Sequence, residues 1–345
     1  MEQYIGLDVS MKETAVSIRQ GGKRTWRGKC ASDPRALAAL IRKRAPHVKR
    51  VVFETGPLSV WFYHALTAEG LPAICIDARR AKAALEMALN KTDANDADGL
   101  AHIAETAFYR EVRVKGFDSM LIRTLVGARN QLLKMRVQMS NQIRGVMKTF
   151  GLVVPKGAGS VFDRNVRDLL DGEDQLARIV LPMLKAWQDI RLRAAELTKQ
   201  LVAMAREDQR CRLLTSVPGV GTVTATAFAA AIEDPSNFRN SRAVGAWVGL
   251  TTKRYQSGEV DYDGHISRQG DKKLRTLLYE AAGVILNRSS ETSALRTWAV
   301  GLRERLGFKR AAVALARKLA VTMHAMLKTG ELFDPKAGTA AAAGL

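Results

Sequence analysis

Cysteine is nearly absent from this sequence: Cys30, Cys75 and Cys211 are its only three among 345 residues. An odd number without metal-type spacing excludes a disulfide framework and a thiolate zinc site. Histidine is equally thin, with five scattered residues and none paired with a cysteine, so mixed imidazole–thiolate zinc is excluded as well. No strongly apolar span reaches membrane length. The N-terminus runs straight into a strand pattern rather than a secretory leader, and a reduced, cytoplasmic chain is expected.

Acid is the next scarcity. Against 54 Lys+Arg stand 34 Asp+Glu, a formal net charge of +20. Such a field attracts polyanions and speaks to partners rather than to fold. The scarcity is local. No acid occurs between Asp118 and Asp163, where Arg123, Arg129, Lys134, Arg136, Arg144, Lys148 and Lys156 do. A second acid-free stretch, between Glu304 and Glu331, holds Arg305, Lys309, Arg310, Arg317, Lys318 and Lys328. Solvated helices normally mix both signs. The first stretch therefore reads as a nucleic-acid track.

Residues 1–112 alternate in the α/β manner. Strand patterns at Tyr4–Val9, Ala15–Arg19 and Arg24–Cys30 come first, with Gly21-Gly22 as a hairpin turn. Asp33-Pro34 then opens a helix to Arg44. Strand Val51–Glu54, helix Pro57–Glu69, strand Pro72–Ile76 and helix Ala78–Leu89 follow. Hairpin-joined strands followed by strands alternating with helices is the order of an RNase H-like sheet. Residues 119–206 read as extended heptad helices. Leu125, Leu132, Met139 and Val146 recur at sevens beside Leu121, Ala128 and Met135. After a break at Gly157–Gly159 come Met183, Ile190, Leu197 and Met204, alternating with Trp187, Ala194 and Leu201. The two stretches are expected to pair with each other or with a second subunit. Residues 207–332 read as an all-α domain, and Pro335–Leu345 as a disordered tail.

Four acids carry most of the chemistry. Asp8 ends one apolar run and Glu54 another. Asp93 and Asp96 stand three apart in a helical segment, which puts both on one face, whereas Asp98 points elsewhere. Strand-end acids joined to a helical pair gather hard oxygen ligands for Mg²⁺. Two such ions, roughly 3.5–4 Å apart, can serve the attacking and leaving oxygens of phosphoryl transfer.

Two later segments add candidates. Pro218-Gly219-Val220-Gly221 lies between two segments expected to be helical. Its glycines let backbone approach a phosphate, as in a helix-hairpin-helix. In Thr251-Thr252-Lys253-Arg254-Tyr255-Gln256-Ser257-Gly258, Lys253 and Arg254, together with Arg268, could hold a phosphate. On chemistry alone Ser257 has no histidine beside it to act as base, and Ser267 is an equal candidate nucleophile.

At these residues the chain resembles the DEDD transposases of insertion-sequence family one-ten. The resemblance rests on Gly6-Leu7-Asp8-Val9-Ser10, Phe53-Glu54-Thr55-Gly56 and Lys91-Thr92-Asp93-Ala94-Asn95-Asp96-Ala97. It continues, in order, through Ser216-Val217-Pro218-Gly219-Val220-Gly221 and Arg254-Tyr255-Gln256-Ser257-Gly258. It implies a RuvC-like first domain with Asp8, Glu54, Asp93 and Asp96 as metal ligands. It places the family's catalytic serine, which forms a covalent phosphoserine link to DNA, on Ser257. It also implies a non-coding bridge RNA that pairs with both donor and target DNA. A homo-oligomer (dimer or tetramer) is expected, with the heptad helices as the means of association. Acids and serine are expected to meet in a composite site, and the chain to associate with the bacterial nucleoid. A water-using RuvC-like nuclease and a non-catalytic nucleic-acid-binding protein are the rival readings.

Overall fold

Alternating apolar residues near the N-terminus become three antiparallel strands, β1 (Gln3–Val9), β2 (Glu13–Gln20) and β3 (Lys23–Ala31). Gly21 and Gly22, at φ of 60° and 80°, make the β2–β3 turn, where two successive positive-φ residues are needed. Helix α1 (Pro34–Arg44) is capped by the Asp33 carboxylate, which accepts from the Ala36 amide at 2.8 Å. Its last turn holds Arg42, Lys43 and Arg44, which suit the negative end of the helix dipole. Then come β4 (Val48–Glu54), α2 (Ser59–Ala68), β5 (Ala73–Ile76), α3 (Ala78–Leu85) and α4 (Asp93–Thr106). This computed structural model describes residues 1–86, 90–288 and 293–336. The end of the helix expected over Ala78–Leu89 thus lies outside the described residues.

The sheet runs β3-β2-β1-β4-β5, with β4 parallel to both β1 and β5. Apolar side chains cover both faces, as a sheet flanked by helices requires. Ile5, Leu7, Val51 and Phe53 pack with Leu37, Ile41, Phe62 and Leu66 of α1 and α2 on one face. Val52 and Ile76 pack with Leu100, Ile103 and Ala104 of α4 on the other. These elements form one compact unit, Met1–Gly116; the second is Phe117–Leu345. The N-terminal part is mixed α/β and the C-terminal part mainly helical.

In the second unit, α5 (Phe117–Thr149) packs along α7 (Asp174–Glu207), with α6 (Ser160–Leu169) between them in sequence. Trp187, Ala194 and Leu201 of α7 are buried, as the heptad pattern anticipates. On α5 the expectation holds in part: Leu125, Met139 and Val146 pack against the helical clusters, and the neighbouring seam needs correction. Val126, Ile143 and Met147 are the buried residues, whereas Leu121 and Met135 are 65% and 40% exposed. The helix meets α7 near both ends, joined by α6 at one and by α9 and α11 at the other.

The remaining helices are α8 (Gln209–Leu214), α9 (Thr222–Ile232), α10 (Arg242–Trp247), α11 (Lys272–Asn287), α12 (Ala294–Leu306) and α13 (Phe308–Thr329). Phe228, Leu278, Leu315, Leu319 and Met323 are among the fully buried side chains of their core. All-α is not the outcome here. A hairpin, β6 (Thr252–Ser257) and β7 (Val260–Ile266), interrupts the helices. Every residue of β6 is exposed, so the strand has no apolar alternation by which to announce itself. Of the tail expected to be disordered, Pro335 accepts a hydrogen bond from the Ala294 amide at 2.8 Å, and 337–345 lie outside the described residues. Among the described residues no helix is long and apolar enough to cross a membrane.

Candidate active site

Parallel pairing of β1 with β4 decides where Asp8 and Glu54 fall. Leu7 sits opposite Phe53, so Asp8, one residue before the end of β1, and Glu54, the last residue of β4, fall side by side at the C-terminal ends of the two strands. Asp8 shares a face with Gly6, two residues earlier. That face meets α4 at unusually close range: a Cβ on Gly6 would lie 2.1 Å from the Ala97 carbonyl oxygen and 2.2 Å from the Ala101 nitrogen. Glycine is thus required for the helix to lie directly on β1. The first turn of α4 carries Asp93 and Asp96 beside the strand ends. Thr92 caps the helix, its hydroxyl accepting from the Asn95 amide at 3.2 Å.

The electrostatics show the acids to be neighbours. Burial pushes the Asp8 carboxyl above its ordinary pKa, and the charges of Asp96 and Asp93 push it further. Burial likewise raises Glu54, followed by repulsion from Asp8 and Asp96. Lys91 opposes both shifts, and Lys29 opposes that of Asp8. Lys29 also makes an ion pair with Asp93 at 3.3 Å. It stands in the cross-strand row Asp8–Ala15–Lys29.

The donor set suits a hard divalent cation. Glu54 Oε1 is buried without a hydrogen-bond partner among the described residues, and an uncompensated buried carboxylate oxygen is costly. An ion held by Asp8, Glu54 and Asp96 would supply the missing partner and cancel the mutual repulsion. Among the described residues no three acid, histidine or cysteine side chains already converge on one point. The side chains would therefore have to turn inward, Asp93 by leaving Lys29.

A second group of acids holds α4 in place. Asp98 accepts from Ser17 Oγ at 2.9 Å and pairs with Arg19 at 3.3 Å and Arg24 at 3.6 Å. Glu105 takes Arg19 Nε at 3.2 Å and the Gly22 amide at 2.7 Å. Asp98 indeed turns away from Asp93 and Asp96, but it is an anchor and not idle. The signal lay in β2, where Ser17 and Arg19 interrupt an apolar strand at alternate positions.

In the second unit Ser257 is exposed at the end of β6, its hydroxyl without a hydrogen bond among the described residues. Gly258, at φ 56°, follows in the turn to β7. Arg254 spends its guanidinium on Asp261, with Nε 2.8 Å from Oδ1. Lys253 is exposed, and Arg268 has a strained φ of 54°. Ser267 Oγ lies 3.5 Å from the Gln269 amide that donates to it.

The basic residues of α5 divide. Arg129 turns inward, donating to Thr198 Oγ1 at 2.8 Å, and burial lowers its pKa. Arg144 lies 4.4 Å over the Phe162 ring and donates to the Gly157 carbonyl. Both are structural contacts, not parts of an outer track. Arg123 pairs with Asp271 at 3.5 Å. Lys134 and Lys148 are exposed and Arg136 is half-buried. Gly219, at φ 80°, is needed for packing, since a Cβ would sit 2.6 Å from Ile285. Gly221 faces open space at the N-terminus of α9, whose first turn has no acid.

Comparison with known proteins bears on both units. The family described as "Transposase IS116/IS110/IS902 family" matches residues 211–297. A DEDD-type IS110 transposase family, described as "Transposase", matches residues 5–151. The transposase for insertion sequence element IS1111A of Coxiella burnetii is 29% identical over 82% of this chain and 79% of its own length. A putative transposase, y4pF/y4sB, of Sinorhizobium fredii is 31% identical over 72% of this chain and 66% of its own. A probable family 20 transposase of Pseudomonas aeruginosa is 29% identical over 71% and 75%. A DEDD-type domain implies a DNA-processing enzyme that uses a divalent metal ion. With matches covering both units in order, the chain belongs to the IS116/IS110/IS902 family of insertion-sequence transposases.

Proposed function

We propose that this transposase cuts and rejoins DNA through a covalent phosphoserine intermediate, with Mg²⁺ bound by Asp8, Glu54, Asp93 and Asp96. One observation carries the reading: burial, and then the charges of neighbouring acids, raise the pKa of both Asp8 and Glu54 at adjoining strand ends, and Glu54 Oε1 has no hydrogen-bond partner among the described residues. Bound there, Mg²⁺ would neutralise charge on the reacting phosphate oxygens. On this reading the sheet is RNase H-like and RuvC-like. Ser257 Oγ attacks phosphorus, loses its proton, and displaces a deoxyribose oxygen that leaves as a hydroxyl. The phosphodiester energy is kept in the serine ester, so a second DNA hydroxyl reverses the step and seals a new junction.

The turn at Gly219–Gly221 serves as a helix-hairpin-helix-like grip, with Gly221 and the first amides of α9 facing a phosphate. Lys134, Arg136, Lys148, Lys253 and Arg268 make further phosphate contacts. A bridge RNA supplies sequence choice by base pairing, which suits a charge of +20. The working form is a dimer or tetramer in the nucleoid-associated cytoplasm.

A trapping assay tests the chemistry. Protein, the element's flanking transcript, Mg²⁺ and labelled junction DNA are resolved on a denaturing gel. A DNA–protein adduct that disappears in Ser257→Ala and in Asp8→Ala is the expected result. Ser257 has no hydrogen-bonded base among the described residues, the observation that favours a water-using nuclease. Cut DNA without adduct, unchanged by Ser257→Ala, would establish that rival instead.

A further inference from the structure

The hairpin that carries Ser257 also carries two tyrosines that the reading above leaves without a task. Tyr255 and Tyr262 are directly paired across β6 and β7. Their rings stack, with centroids 5.2 Å apart and planes at 20°. Burial does not account for them, because they remain 50% and 56% exposed. Nor do they belong to the hydrophobic core of the helices around them. Aromatic rings bury large areas when they serve stability, and this pair does not.

Register places the pair beside the serine. Pairing is regular from Tyr255–Tyr262 through Gln256–Asp261 to Ser257–Val260. Tyr255 and Ser257, two positions apart, therefore project from one face of the ribbon, about 7 Å apart along the strand. Arg254 and Asp261, engaged with each other, take the opposite face. Gly264 completes the arrangement: its absent Cβ would lie 3.1 Å from Tyr255 Cε2, so the ring lies over bare backbone. The result is a flat aromatic surface next to a hydroxyl, on a strand pair with no residue fully buried.

We propose that Tyr255 and Tyr262 form a stacking platform for an unpaired base of the DNA strand next to the phosphate that Ser257 attacks. The inference rests on the reading of Ser257 as nucleophile. The occupant is nucleic acid because the chain is strongly cationic, Lys253 lies exposed on the same ribbon, and the family acts on DNA. It is an unpaired base because bases in a duplex are already covered by their neighbours, whereas a splayed base offers a free face to an aromatic ring. Stacking of this kind tolerates any base, which suits a protein that leaves sequence choice to pairing. The tyrosines are positioning residues: they fix the nucleotide, and so the angle at which the phosphate meets Ser257.

The test uses the full chain and a fluorescein-labelled single strand carrying 2-aminopurine. Anisotropy reads affinity and 2-aminopurine quenching reads stacking. Tyr255→Ala and Tyr262→Ala are each expected to weaken binding about tenfold and to abolish quenching, while Tyr255→Phe stays within about twofold of wild type. Phe108→Ala, at a solvent-exposed aromatic in the other unit, should change nothing. Wild-type binding and quenching in both alanine variants would overturn the proposal. So would equal loss in Tyr255→Phe, which would assign the contact to the hydroxyl. Altered sedimentation of the alanine variants with DNA binding intact would make the face a self-association surface and also overturn it. The covalent-adduct assay keeps the two readings apart. An adduct formed normally by the alanine variants removes the platform and leaves the serine in place. Quenching without any adduct from wild type does the reverse.

Discussion

Asp98 offers the sharpest quantitative test of how the acid site is built. The residue touches Ser17, Arg19 and Arg24, and none of the four acids assigned to the metal. Side-chain exposure is 14% for Arg19 and 25% for Asp98, so their pair is mostly shielded from water. Breaking a fully buried pair by removing one partner costs about 3–5 kcal/mol. Here Arg19 keeps Glu105 at 3.2 Å, which retains part of its compensation. Asp98→Ala should therefore cost about 2 kcal/mol, and Arg19→Ala about the same. The double variant should cost less than the sum, with a coupling of about 1 kcal/mol. Hydrogen exchange of peptides spanning 93–106 is the assay, because it reads opening of α4 directly. Calorimetric titration with Mn²⁺ adds a readout specific to the site. If Asp98 positions Asp93 and Asp96, metal affinity falls in Asp98→Ala and recovers in part in Asp98→Asn, which keeps the Ser17 bond. Additive stability effects, or unchanged Mn²⁺ affinity in a destabilised Asp98→Ala, would refute the argument.

Further expectations concern the same elements. Gly6→Ala drives a Cβ into the α4 backbone, so α4 must shift; a loss of about 3 kcal/mol and of Mn²⁺ binding is expected from urea unfolding and calorimetry. Glu54→Gln should stabilise the metal-free protein at neutral pH. A carboxylate whose folded pKa is raised weakens the fold as pH climbs from its unfolded value through its folded one, and the penalty is complete above both. Thermal melts without divalent ion should show the gain near pH 7 and lose it in acid. In wild type, Mg²⁺ at a hundred times its Kd should add about 2.7 kcal/mol, a shift missing from Glu54→Gln. On α5, Lys134→Ala should flatten the dependence of log affinity for DNA on log salt by about 0.9. Arg129→Ala should leave that slope alone and instead cost about 1–2 kcal/mol of stability.

What could be read from sequence, and what could not, divides along physical lines. The strands and helices of the first unit are legible because their residues face a core, and burial imposes the two-fold or 3.6-fold period. Asp8 and Glu54 are legible as the acids that stop such runs. Their adjacency is not, since it depends on β1 and β4 being parallel neighbours, a pairing that no local pattern states. Asp98 was separable from Asp96 by helical angle alone, yet its partner lay 79 residues away on β2. On α5 the heptads marked Leu125, Met139 and Val146, which pack, but also Leu121 and Met135, which stay exposed, because α6, α9 and α11 add to the burial that α7 imposes. The hairpin at Ser257 escaped for the opposite reason: β6, with every residue exposed, has no periodicity to read.

That last failure bears on function. Sequences that specify one structure make local and global preferences agree, and departures concentrate where function demands them. Both candidate centres depart, in different ways. The acid site is overdetermined in position, by a glycine that lets α4 touch β1 and by the ion pairs of Asp98 and Glu105, yet unfavourable in charge. Such rigidity holds carboxylates together against their repulsion, and a divalent ion bound there would restore the balance. The hairpin is instead poor in packing, with tyrosines and serine left exposed. A partner that covers it restores what the fold withholds. Each centre is thus incomplete in the way that its proposed ligand corrects: a cation for the acids, and a nucleic-acid strand for the ribbon. On this account Mg²⁺ should protect α4 from hydrogen exchange and leave 252–266 unchanged, while single-stranded DNA should protect 252–266. Protection of the ribbon by Mg²⁺ alone would break the assignment of one ligand to each centre.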